Sequence, residues 1–199
     1  MTPAVSIDNI QHNNQGANLS GKLIVASPFI VKDSIFAESV VYIVHHDTNG
    51  AIGLIINHAI DNINCSVIFQ SLDINPDLIK CKMPVHLGGP VEPEHGFVLH
   101  SSDYDINILF HNNDFSFSSN IEIVKAIAMN KGPANSLFAL GYAGWSAQQL
   151  EAEITNKDWL VVPPIYDLIF AKNNDEKWHR ALKLAGINPY AVTTTPGHA

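Results

Sequence analysis

The amino-acid sequence predicts an α+β fold built on a mixed β-sheet. Two β-rich runs, Ser39–Val44 and Ala51–Ile56, flank Asn49-Gly50. That pair tolerates positive φ at both positions, as a tight antiparallel hairpin demands. Other strand-like runs alternate with capped, amphipathic helical segments. Hairpin-paired and interleaved strands together favour a mixed sheet over a doubly wound parallel one.

Residues 1–19 are rich in Asn and Gln and are expected to form a mobile extension; residues 20–199 are expected to form a single domain. Lys22–Ala26 is the first strand, stopped by Ser27-Pro28. The hairpin follows, with His45–Gly50 as its connection. Gly53, inside the second hairpin strand, marks a bulge or a close backbone approach. Asn64–Leu72 is expected as a short helix, and Met83–Leu87 and Gly96–Ser101 as strands linked through Gly88-Gly89-Pro90. A helix over Asn120–Lys131 takes its capping box from Ser119 and Glu122 and ends at Gly132-Pro133. Ser136–Tyr142 is apolar enough for a buried strand. For the next helix Ser146 is the N-cap, Gln149 holds the third position, and Trp145 staples onto Leu150. Trp159–Val162 and Leu168–Phe170 are expected as short strands. Glu176–Ala185 is the last helix, with Trp178, Leu182 and Ala185 on one face.

The chain has 199 residues, 46% of them hydrophobic and 15% charged, which suits a globular protein that closes a sizeable core. A net charge of −8 without a basic cluster disfavours binding to nucleic acid or to an anionic membrane, since both carry like charge. No apolar run reaches the roughly 18 residues of a membrane span. Cys65 and Cys81 lack CxxC spacing, and residues 1–19 lack the apolar stretch of a signal peptide. Two free thiols in the cytoplasm are therefore expected.

No complete cofactor, metal or catalytic motif is present. Gly16–Lys22 is close to a phosphate-binding loop, but Leu23 stands where Ser or Thr would hold Mg²⁺. Gly144-Trp145-Ser146 begins like a nucleophile elbow, but Gln148 replaces its second glycine. His45 and His46 diverge if they are strand neighbours, as do His95 and His100, and no HExxH occurs. Glu92/Glu94 and Glu151/Glu153 are expected on a solvated surface. Asp103 and Asp105 lie in an irregular loop without the glycine and closing glutamate of a calcium loop.

Several stretches together resemble the YqgE/AlgH family of bacterial proteins. They are Gly21–Pro28, Phe36–Tyr42, Asn49–Asn57, Gly88–Val91, His95–His100, Gly141–Trp145, Gln149–Glu153, Trp159-Leu160 and Gly197–Ala199. The resemblance implies a cytosolic α+β protein with a mixed, partly barrel-like β-sheet flanked by helices, and it supplies no reaction. Some members carry the label of transcriptional regulator; an acidic chain without a helix-turn-helix gives that label little support. Ser146-Ala147-Gln148 departs from the Gly-Pro-Gly usual in the family.

The leading expectation is a non-enzymatic binding or regulatory protein with a protein or small-molecule partner. The alternative is a small-molecule enzyme with a cleft near His100 and Glu151, where a histidine and a carboxylate could do acid–base work. A DNA-binding regulator ranks last. Gly88, Gly89, Pro90, His100, Trp145, Gln149 and Glu151 form the candidate functional surface. Glycines leave backbone open to close approach, and His100 is expected to turn toward solvent at a strand end.

Overall fold

A computed structural model describes residues 18–30, 34–65, 68, 69, 75, 79 and 83–188. Residues 1–17 of the expected N-terminal extension, and residues 66, 67 and 70–72 of the expected helix over Asn64–Leu72, lie outside them. β1 (Leu23–Ala26), β2 (Val40–Asp47) and β3 (Gly50–Ile55) are successive antiparallel neighbours. β4 (Ala59–Asn64) pairs antiparallel with β5 (Pro84–Leu87). β6 (Val91–Ser101), β7 (Phe110–His111) and β8 (Phe115–Ser118) follow, with β8 antiparallel to both others. β9 (Ser136–Ser146) is the organising strand. It pairs with β6 along one stretch, with β3 further on, and with β5 in parallel. That parallel pair makes the sheet mixed, as expected. β10 (Trp159–Val162) adds to β1. The sheet is open, with β10 and β7 at the ends of its main path, and does not close into a barrel.

Strict alternation explains why β1 to β3 bury both faces. Leu23, Val25, Val40, Tyr42, Ile52 and Leu54 join the largest core cluster, on the side covered by α3 (Tyr166–Ile169) and α4 (Asp175–Leu184). Ile24, Val41, Ile43, Ala51 and Ile55 face the other way, toward α2 (Gln149–Thr155). α1 (Ile121–Ala128) closes a third cluster with Val85, Val98 and Phe138.

Several elements differ from expectation. β2 continues through His45 and His46, so the turn is only Thr48-Asn49, held by the Asp47 carboxylate accepting from the Asn49 N–H at 2.8 Å. The bulge foreseen near Gly53 lies across from it, where the register shifts between Ile43 and His45. A Cβ on Gly53 would sit 2.6 Å from Val41, so the close approach is real as well. Asn120, not Ser119, caps α1, accepting from the Ile123 N–H at 2.9 Å. β6 begins five residues early, at Val91, and β9 runs four residues further, to Ser146. Leu168–Phe170 belongs to the single turn of α3 and its C-cap, not to a strand. Three apolar residues are too few to distinguish the two periods.

Candidate functional site

A cleft of about 670 Å³ opens where β5 and β9 begin. Its walls are the segment after α1 (Asn130–Asn135) and the connection from α3 to α4 (Ile169–Asn174). His86 and Lys177 form its buried polar floor, and Asn174 stands beside them.

Each of these side chains has a defined partner. Lys177 is 1% exposed; its Nζ donates to the Ile56 carbonyl at 2.8 Å and to the Ile169 carbonyl at 2.9 Å. Ile169 is the last residue of α3, so Lys177 satisfies a carbonyl left open by a helix end. His86 Nδ1 lies 3.2 Å from the Phe138 carbonyl, which can only accept. Nδ1 therefore carries the proton, and Nε2 accepts from the Asn174 side-chain amide at 3.0 Å.

Among the described residues, no carboxylate lines the cleft and none pairs with Lys177. Burial, reinforced by the nearby Arg180 charge, pushes the Lys177 amine down to about 7. Burial and then the Lys177 charge push His86 down to about 4. His86 is accordingly neutral at pH 7 and Lys177 is close to half-protonated. With Lys172 at the rim, the cleft is a basic hollow on a chain of net charge −8. Strongly shifted groups converging in a cleft are the physical signature of a binding or reactive site.

The residues singled out in the sequence sit elsewhere and do not form one surface. Gly88 and Gly89 lie where β3 and β5 meet along β9, and the Gly88 N–H donates to the Leu140 carbonyl at 2.8 Å. A Cβ on Gly89 would collide with the Tyr142 backbone, so the open backbone is occupied by β9 rather than offered to a ligand. Pro90 is exposed beside them. His100 is fully buried; its ring reaches the Ser101 carbonyl and the Ser118 hydroxyl. It pairs with Ser136 at the start of β9, whereas Trp145 is next to the last residue of the same strand. Those nine steps span roughly 30 Å at the usual rise per strand residue.

Trp145, Gln149 and Glu151 do share a neighbourhood. Glu153 Oε2 accepts from both the Trp145 and Trp159 indole N–H groups at 2.8 Å, and Oε1 accepts from the Gln149 amide at 2.9 Å. Gln149 Oε1 in turn accepts from the Ser146 N–H at 3.0 Å and from its hydroxyl. This is the returning half of the expected capping box, although the N-cap position itself is Gln148. The Leu19 N–H donates to His46 Nδ1, which leaves Nε2–H to donate to Glu151 at 3.0 Å. Glu151 and Glu153 thus make specific contacts rather than only facing solvent. His46 and Glu153 are the members of this corner that sequence reasoning missed.

The cleft was missed altogether. One signal was available: Lys177 falls on the inward stripe of α4, beside Trp178 and four residues before Ala181. His86 gave no such signal, because a histidine in a four-residue strand is compatible with either face.

Comparison with known proteins places this architecture. The AlgH-like family model matches residues 23–190. UPF0301 proteins of Rickettsia canadensis and Rickettsia prowazekii are both 44% identical, covering 92% of this chain and 96% of theirs. The solution structure of AlgH from Pseudomonas aeruginosa is 32% identical, with a TM-score of 0.72, covering 95% of this chain and all of that one. The crystal structure of DIP2367 from Corynebacterium diphtheriae, at 20% identity and TM-score 0.66, shares the fold. The chain belongs to the AlgH-like family.

Proposed function

We propose that the protein binds a small organic anion in the cleft floored by His86 and Lys177. One observation carries this reading: a buried histidine and a buried lysine converge on a cleft of about 670 Å³ that no carboxylate lines among the described residues. Such a volume suits a metabolite-sized molecule. Lys177 and Lys172 supply positive charge, while Asn130, Asn135 and Asn174 supply polar groups to orient the ligand. The reading is of a binding protein with a small-molecule partner. Its setting is taken as a single cytoplasmic domain. No described helix is long and apolar enough to cross a membrane.

Amide-resolved NMR titration with oxalate, inorganic phosphate and neutral oxamide tests it. The two anions should shift the amides of 130–137 and 169–177, and oxamide should not. Equal responses to all three, or shifts spread over the surface, would contradict the reading.

A further inference from the structure

Lys177 is more than a positive charge in that cleft. Its amine spends two N–H groups on the backbone carbonyls of Ile56 and Ile169. A neutral amine has two N–H bonds and one lone pair, so these two contacts satisfy every donor of the neutral form and leave the lone pair unpaired. The ammonium form would carry a third N–H, and no described carboxylate is there to meet it. The charged groups around it, Arg180 on its own helix and Lys172 at the rim, add only positive charge. His86 from β5 adds a neutral ring, with His58 as a further titratable group near it. A desolvated lysine held beside cations is the arrangement that makes an amine nucleophilic near neutrality.

Resting on the reading of the cleft as an anion site, we propose that Lys177 captures the carbonyl group of a small oxo acid as a protonated imine. The Nζ lone pair adds to the carbonyl carbon, and the C=O π pair moves onto oxygen, which takes a proton from the amine. The carbinolamine takes up a second proton on that oxygen and expels water. The nitrogen pair closes the C=N bond, so the carbonyl oxygen and two protons leave together. The acid's carboxylate stays with the cationic rim at Lys172, and the cleft asparagines hold its oxygens. No oxidant, metal or cofactor enters the balance.

The test uses the full chain with glyoxylate as probe and cyanoborohydride to fix the imine, followed by peptide mapping between about pH 6 and about pH 9, where ordinary lysines remain protonated. Lys177 should be the dominant site, labelled at least tenfold faster than any other lysine near pH 7 and half-maximally near that pH. Label spread evenly over the lysines, or a map that leaves Lys177 unmodified, would overturn the proposal. Lys177→Met should lose the label; if that variant does not fold, the map of the unaltered chain decides alone. An oxalate titration by NMR runs in parallel. Oxalate shifts without glyoxylate capture would leave the anion site standing and remove the covalent step. The absence of both would remove both.

Discussion

At the corner formed by Trp145, Trp159 and α2, the ring N–H groups of Trp145, Trp159 and His46 all end on carboxylates. Glu153 takes both indole N–H groups, and Glu151 takes His46. In the cleft, His86 and Lys177 end instead on a side-chain amide and on backbone carbonyls, with no acid in reach among the described residues. The difference separates two uses of buried polar groups. A histidine–carboxylate contact that closes on itself is satisfied and structural. A lysine and a histidine buried without a counter-charge have shifted protonation and capacity left for a ligand.

The largest effect belongs to the corner. Trp145→Ala removes a ring that is 2% exposed and packed against Phe36 and Trp159. It should cost about 3–5 kcal/mol in urea unfolding, with oxalate binding retained in the folded fraction. Equal loss of stability and binding in the folded fraction would show that the two regions are coupled.

Lys177→Met should cost about 2 kcal/mol in the same assay, because the Ile56 and Ile169 carbonyls lose their donor while remaining buried. Its pH signature is more specific. Both folded-state pKa values are depressed, so the unfolded chain holds protons that the folded chain releases. Stability therefore rises with pH, from about 4 to 6.5 through His86 and from about 7 to 10.5 through Lys177. Lys177→Met should abolish the second rise and keep the first in narrowed form, since burial still depresses His86 but the Lys177 charge no longer does. A variant whose upper rise persists would assign it to another group.

Gln148 tests the corner on a finer scale. Its φ of 63° is left-handed and lies at the N-cap of α2. Gln148→Gly should stabilise the fold by about 0.5–1 kcal/mol, relief of side-chain strain outweighing glycine's entropy. Glu151→Gln should have the smallest effect, at most about 0.5 kcal/mol, because Glu151 is half-exposed where it meets His46. A large loss there would make the corner more than a structural clasp.

How much of this was legible in the sequence follows from the range of each interaction. The hairpin, α4 and the cap region of α2 were visible because their determinants lie within a few residues: the two β-rich runs on either side of a short polar turn, the apolar stripe through Trp178 and Leu182, and Ser146 with Gln149. The cleft was not, because each of its two buried groups depends on a distant partner: Ile56 lies 121 positions from Lys177, and Asn174 lies 88 from His86. His100 illustrates the converse error. It was expected at a solvent-facing strand end, but β8 covers it and Ser118 satisfies it, a pairing that leaves no local trace. Glu153 looked like one of a solvated pair because its two tryptophans flank α2 from different strands.

The most direct measurement is the titration of the Lys177 side chain by carbon NMR on lysine-labelled protein, with Lys177→Met to assign the signal. Burial without a counter-charge predicts a midpoint of about 7, and an upward shift when oxalate occupies the cleft and favours the ammonium form. A midpoint near the ordinary lysine value of about 10.4, or one that oxalate leaves unmoved, would contradict the account.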